Sequence, residues 1–294
     1  MKYGAITIIY NPLSTGSSET LARAVKRDIL ARFPKQKVSL RPTQYAGHAE
    51  ELAYTLAKKS NNPLIFSSSG DGGYHEVVNG IMKAREEGYD AVAGLLPAGN
   101  ANDHYRNLHD EDLMERIANG KEQKIDVLKL EGTSKGKAVH RYAHSYIGFG
   151  LTPVVGKKLN KNKLNFFNQI WIVAKALLSL RSVKLDLGKG IHAYDSVIFS
   201  NVTTMSKYLK ISRPSKLDDG TFEVTAFRRR NKIRLIALLL KASIVGVEED
   251  VQVKEFSLQV AKKTPVQLDG EILTLDAESK VRISLEGRAL NCIV

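Results

Sequence analysis

The chain has 294 residues, 43% of them hydrophobic and 26% charged, with a formal net charge of +13. That composition is that of a soluble globular protein, and the length suits one large or two ordinary domains. The basic excess suggests an anionic partner without choosing among nucleic acid, a phosphorylated cofactor and a membrane surface. Cys292 is the only cysteine, which excludes an intrachain disulfide and favours a cytosolic setting. The first residues are strand-like, with no basic-then-apolar leader. The longest apolar windows, Ile170–Leu180 and Ile233–Leu240, contain or adjoin Lys and Arg and are too short to span a bilayer.

Ala5–Tyr10, AITIIY, predicts a buried parallel strand. NPLSTGSSE then forms a loop ending at a helix start, with Ser17 and Ser18 as caps, Glu19 in the first turn, and Leu21, Val25 and Ile29 at helical spacing. A strand is expected at Lys37–Arg41, then a Gly47 bend and a helix near His48–Lys59 with Leu52 and Leu56 inside. Pro63–Phe66 predicts another buried strand. It leads into SSSGDGGYHEVVNG, Ser67–Gly80, around which the chain is organised, with Val77, Val78, Ile81 and Met82 on one helix face. Strand, glycine-rich turn and helix N-terminus make a place for phosphate, because glycines let backbone N–H groups approach an anion and the helix dipole favours it. Asp71 does not fit an anion binder unless it holds a metal ion or handles a proton. An ordinary βα turn is the other reading of these residues. Strand Ala91–Leu96, the loop PAGNANDHYR and a helix near Glu111–Ala118 close the unit. Strand, loop and helix repeated four times predict a doubly wound or three-layer α/β domain.

After about Lys124 the pattern changes to strand runs: Ile125–Leu130, Arg141–Ile147, Ser196–Val202, Phe222–Phe227, Glu255–Val260, Val266–Leu268 and Val281–Leu285. Turn signals at Glu131-Gly132, Asp218-Asp219-Gly220, Asp269-Gly270 and Glu286-Gly287 separate them. Helical stretches are expected near Phe166–Leu180 and Lys232–Ile244. Residues 1–124 thus read as an α/β domain and 125–288 as a mainly antiparallel β domain.

IIYNPLSTGS, SGDGGYHEVVNG, LLPAGNANDHYR, SKLDDGTFEV and VQLDGE, in this order, resemble motifs of the diacylglycerol kinase catalytic family, in its bacterial soluble lipid-kinase branch. The second matches that family's GGDGT-x-x-E-V-x-N-G signature. The resemblance implies an N-terminal α/β nucleotide domain, to which 289–294 returns, a C-terminal β-sandwich-like domain, and an active site between them. It implies Mg²⁺- and ATP-dependent phosphorylation of a lipid hydroxyl, with diacylglycerol to phosphatidic acid foremost. Asn11, Ser14, Gly16, Thr43, Gly70, Asp71, Gly72, Gly73, Glu76 and Asn100 would then lie at the nucleotide. Asp71 would face Mg²⁺ and Asp103 would hold the metal–water network. Glu271 would be the general base, with Asp71 as the other candidate. Asp219, with carbonyls of Lys216 and Thr221, would hold a structural Mg²⁺. Thr15 stands where the NP loop has glycine, and Gly73 and Asn100 stand where the family has threonine, which leaves the nucleotide open.

A lipid kinase must reach a bilayer. Lys157–Lys184 mixes seven Lys and Arg residues with Phe166, Phe167, Ile170, Trp171 and Leu177, as suits an anionic membrane surface approached peripherally from the cytoplasm. A core-facing helix with a solvated basic face is the bland reading. A kinase of another lipid, such as phosphatidylglycerol or a sphingoid base, and a non-catalytic nucleotide- or lipid-binding relative are the alternatives. No motif supports a nucleic-acid partner, and a homodimer is left open.

Overall fold

A computed structural model describes residues 2–14, 17–99, 105, 112–159, 181–205, 209–210, 216–229 and 250–293. The chain divides into two compact units, Met1–Asp126 with Gly287–Val294, and Val127–Glu286. The fold is α/β.

In the first unit, β1 (Ile6–Tyr10), β2 (Val38–Pro42), β3 (Leu64–Ser69) and β4 (Val92–Pro97) alternate with α1 (Ser18–Arg32), α2 (His48–Lys59), α3 (Asp71–Glu86) and α4 (Leu113–Asn119). The strands lie parallel in the order β2-β1-β3-β4, and residues Asn291 and Cys292 add a further parallel strand beside Val92 and Ala93. Side chains alternate between the two faces. Ile6, Ile8, Leu64, Phe66, Val92 and Leu96 share one core with Ala22, Val25 and Ile29 of α1 and Ile117 of α4. Ile9, Ile65, Ala93 and Leu95 are buried on the opposite face, where α3 lies against Ser67 and Ser69 and α2 packs on α3. This gives three layers. α2 and α3 approach closely because Gly80 has no side chain: a Cβ there would stand 2.8 Å from Ala53 Cβ and 2.9 Å from the Tyr54 amide nitrogen. The same close approach explains why Ala49, Ala53 and Ala57 form the buried stripe of α2, whereas the expected Leu52 and Leu56 are only half-buried.

The second unit comprises most of β5 (Glu122–Ser134), then β6 (Lys137–Ala143), β7 (Tyr146–Gly150), α5 (Leu151–Leu159), β8 (Val183–Asp186), β9 (Ile191–Ser200), β10 (Thr204–Met205), β11 (Leu209–Lys210), β12 (Phe222–Arg228), β13 (Asp250–Val253), β14 (Glu255–Val260), β15 (Thr264–Leu268), β16 (Glu271–Leu275) and the first part of β17 (Lys280–Ile293). Antiparallel pairing runs β16-β15-β7-β9-β8-β14-β17, with β12 and β13 built onto β9 and with β5 and β6 forming a hairpin. Phe149, Phe199 and Phe222 meet edge to face at its centre, with ring centroids 6.1 and 6.2 Å apart. Leu128, Ile147, Val197, Val224, Leu258, Val266 and Ile283 close around them.

Several expectations are corrected. Glu131-Gly132 and Glu286-Gly287 are not turns. β5 runs on to a hairpin at Lys135 and Gly136, both at positive φ (52° and 73°), because Gly132 is placed for packing: a Cβ there would meet Leu275 at 3.2 Å and Ser279 Oγ at 3.3 Å. β17 continues past Gly287 and kinks at Arg288 (φ 51°), whose N–H donates to Asp126 Oδ1 at 2.6 Å. The expected strand Arg141–Ile147 is two strands, broken at His144-Ser145. Neither Ser17 nor Ser18 caps α1 by its side chain; Ser18 Oγ donates to the Ser68 carbonyl instead, and Ser68 Oγ donates to Ser18 O at 2.7 Å. α5 was not expected; its Pro153 falls in the first turn, where a missing N–H costs nothing.

Candidate active site

The first unit gathers its motif loops at the C-terminal ends of parallel strands, where the topology leaves a crevice. After β1, Asn11 closes a tight turn: its Oδ1 accepts from Leu13 N–H at 2.9 Å and its carbonyl accepts from Ser14 N–H at 3.1 Å. The Asn11 N–H donates to Ser18 Oγ at 3.2 Å, tying this loop through Ser18 to the end of β3. After β2, Thr43 N–H donates to the Tyr10 carbonyl at 2.8 Å. After β3, Gly70 is the N-cap of α3, in extended conformation, and Asp71 is the first helical residue, half-buried. Gly70 has no side chain and so makes no cap hydrogen bond to this N-terminus. The PAG segment after β4 abuts this turn, with Ala98 N–H donating to the Ser69 carbonyl at 3.1 Å and Gly99 Cα 3.1 Å from where a Gly70 Cβ would stand.

A cleft of about 330 Å³ opens beside the turn, lined among others by Asn11, Leu13, Thr43, Tyr45, Ser67, Ser69, Gly73 and Glu76. It brings Asn11, Thr43, Gly73 and Glu76 to one place with Ser67 and Ser69 of β3. Tyr45, on its rim, stacks on His48 with ring centroids 4.7 Å apart and donates its hydroxyl to Glu51 at 2.6 Å. That residue was not singled out from the sequence, because nothing in its neighbours marks a loop tyrosine. The Glu76 carboxylate has a further task. Its two oxygens accept from Gly47 N–H at 3.0 Å and Ala49 N–H at 3.1 Å, satisfying donors at the α2 N-terminus that Gly47 cannot cap. Tyr74 of the same motif turns inward and meets Cys292 Sγ at 3.4 Å; burial pushes that thiol up to about 12.

In the second unit, Glu271 opens β16 after the two-residue turn Asp269-Gly270, opposite Leu268, and is half-buried. The turn is not a surface hairpin. Asp269, at φ 50°, is buried, and its carboxylate accepts from His144, Ser145 and Tyr146 N–H at 3.0, 2.9 and 3.1 Å. Gln267 Nε2 donates to the Asp269 carbonyl at 2.7 Å, so the turn is held from both sides. Asp219 is exposed and folds its own loop: Oδ1 accepts from Thr221 N–H at 3.0 Å and Thr221 Oγ1 at 2.9 Å, and Oδ2 from Lys216 N–H at 3.3 Å.

Gly16, Asn100, Asp103 and the helices expected near Phe166–Leu180 and Lys232–Ile244 lie outside the described residues. Among the described residues no group of three or more His, Cys, Asp and Glu could hold a metal ion, and no helix is long and apolar enough to cross a membrane.

Residues 5–130 match the family model of the diacylglycerol kinase catalytic domain. A diacylglycerol kinase of Bacillus subtilis (strain 168) is 26% identical over 284 residues, covering 90% of this chain and 88% of its own. One of Staphylococcus aureus (strain bovine RF122 / ET3-1) is 27% identical over 282 residues, covering 90% and 85%. A solved structure from Bacillus anthracis str. Sterne superposes with a TM-score of 0.74 at 19% identity, covering 100% of this chain and 98% of that one. That of a diacylglycerol kinase from the same organism gives 0.72 at 18%, covering 100% and 97%.

Proposed function

We propose that the chain is a lipid kinase of the diacylglycerol kinase catalytic family, whose model residues 5–130 match and whose members from Bacillus subtilis and Staphylococcus aureus are 26% and 27% identical to it, and that it moves the terminal phosphoryl group of ATP, with Mg²⁺, to the free hydroxyl of diacylglycerol. The bond from the terminal phosphorus to the bridging oxygen breaks, the lipid oxygen forms the new one, and ADP and phosphatidic acid leave. The observation that carries the reading is the turn Ser69–Gly73. It joins a buried strand to a helix N-terminus beside a 330 Å³ cleft, with no cap hydrogen bond from Gly70 to satisfy the first N–H groups of α3. Such donors suit phosphate oxygens.

Asp71 supports a metal. A carboxylate at the first helical residue would repel a triphosphate on its own account, and a divalent cation turns that repulsion into a bridge. When bound, Mg²⁺ would screen the charge of the phosphates and the transition state. Glu271 takes the hydroxyl proton in this reading, and the buried Asp269 turn fixes where its backbone starts. Asn11 and Thr43 line the nucleotide side. The protein would meet its substrate peripherally, at an anionic cytoplasmic membrane surface, through the basic and aromatic segment 157–184.

The test is transfer of label from ATP to diacylglycerol in mixed micelles, and to an extracted lipid pool. Labelled phosphatidic acid from the wild type and a loss of about 10²-fold or more in Glu271→Gln are expected. Label appearing in another lipid alone would move the substrate to that lipid. No labelled lipid from any source would overturn the reading, and full activity in Glu271→Gln would pass the base role to Asp71.

A further inference from the structure

Gly73 stands where the signature has threonine, and Ser69 stands where it has the first glycine. These two departures face each other. A Cβ on residue 73 would lie 2.6 Å from Ser69 Oγ and 2.7 Å from Ser69 Cβ, closer than real side chains approach. Neither departure makes sense alone: a threonine at 73 has no room while serine occupies 69, and the glycine at 73 leaves a gap that the Ser69 side chain fills. We propose that the pair is a coupled exchange, in which the Ser69 hydroxyl supplies from β3 the donor that a threonine would supply from α3, and that Ser69 is a nucleotide-binding residue of this chain.

The hydroxyl is placed for this. Ser69 is half-buried and lines the cleft with Ser67, Gly73 and Thr43. Ser67 Oγ and Ser69 Oγ are 2.7 Å apart, and Ser69 Oγ donates to the Gly70 carbonyl at 2.9 Å. A hydroxyl has one proton to give. With Ser67 donating to it, Ser69 can turn its proton from Gly70 to a phosphate oxygen. The Gly70 carbonyl is not stranded by that turn, because it also accepts from Tyr74 N–H at 3.1 Å, the first hydrogen bond of α3. The exchanged bond is charge-assisted and stronger than the one released.

The inference rests on the kinase reading, and four variants separate the two. Adenylyl imidodiphosphate with Mg²⁺ is titrated calorimetrically into wild type, Ser69→Ala, Gly73→Thr and the double variant Ser69→Gly/Gly73→Thr, and each is melted without nucleotide. Ser69→Ala should melt normally and bind about tenfold or more weakly. Gly73→Thr should lose both melting temperature and affinity, and the double variant should recover both. Wild-type affinity in Ser69→Ala, or a double variant as impaired as Gly73→Thr, overturns the coupled exchange while leaving the kinase reading intact. A wild type that binds no nucleotide overturns both.

Discussion

His144 Nε2 lies 3.3 Å from Asp269 Oδ2, and neither side chain is reached by solvent. The two residues come from positions 125 apart in sequence, and the same carboxylate accepts three successive backbone N–H groups, of His144, Ser145 and Tyr146. The carboxylate ends one strand, starts the next, and fixes the turn from which Glu271 departs. Removing it would leave three buried backbone donors without their acceptor. At about 1–3 kcal/mol for each buried donor left unsatisfied, Asp269→Ala should therefore cost about 3–5 kcal/mol or more in urea unfolding. Asp269→Asn keeps an acceptor oxygen but turns an amide N–H₂ toward donors. It should lie between wild type and Ala in stability and lower kcat more than it raises KM, since Glu271 would be displaced while the nucleotide cleft of the other unit is untouched. A kcat unchanged in the Asn variant would show that the turn only holds the fold.

Glu76 presents a different conflict. Its carboxylate is part of the signature and lines the cleft, yet both oxygens hold the α2 N-terminus at Gly47 and Ala49. Side-chain caps of this kind contribute about 1 kcal/mol, and Gly47, at φ 88°, has no side chain to substitute. Glu76→Ala should lower stability by about 1–2 kcal/mol, and Glu76→Gln, which retains one acceptor, by less. If Glu76 acts chiefly as a cap, nucleotide affinity should fall in proportion to stability across the two variants. A Gln variant of normal stability that loses affinity would assign the carboxylate to the ligand.

The elements that could be read from the sequence are those governed by neighbours in the chain. α2 begins and ends where Gly47 and Ser60 break a helical run, and β14 occupies Glu255–Val260, where Phe256, Leu258 and Val260 alternate with polar residues. Dipeptides containing glycine misled where the glycine serves a distant contact. Gly132 makes room for Leu275 and Ser279, and β17 passes Gly287 on its way to Asp126. The motif loops were legible as a set because their residue types and order carry the chemistry. The couplings within the site were not: Ser69 against Gly73, Glu76 against Gly47 and Asp269 against His144 are distances in space that no local pattern encodes.

Cys292 gives a probe of the first unit. It is fully buried in the last strand of the parallel sheet, beside the Tyr74 hydroxyl, and burial pushes its thiol from 9.0 to about 12. The native protein at pH 8–9 should thus resist thiol reagents, and labelling should follow unfolding. The sign of the linkage is definite. Between pH 9 and about 12 the unfolded chain gives up this proton while the native one keeps it, so stability is complete below 9 and falls as pH rises through that window. Tyr3, also pushed up by burial and by neighbouring Glu122, acts in the same direction. Cys292→Ala should flatten part of the alkaline decline. Fast labelling of the folded protein at pH 8 would show that the strand opens locally.

The loop at Asp219 decides between a turn and a cation site. Its carboxylate already accepts from Thr221 N–H, Thr221 Oγ1 and Lys216 N–H, contacts that close the loop without metal. A carboxylate has about four acceptor directions, and among the described residues Oδ2 here accepts only the long 3.3 Å contact, which leaves a direction at that oxygen for a hard cation held together with loop carbonyls. A ligand that binds only the folded state raises its melting temperature in proportion to the logarithm of its concentration. Mg²⁺ titrated into the nucleotide-free protein should raise the melting temperature of the wild type and of Asp71→Asn, but not that of Asp219→Ala, if Asp219 holds the ion. Asp219→Ala should be less stable than wild type by about 1 kcal/mol even without Mg²⁺, because the turn loses its internal acceptors. Equal Mg²⁺ responses in wild type and Asp219→Ala would reduce the loop to a self-closed turn and leave Asp71 as the candidate for metal.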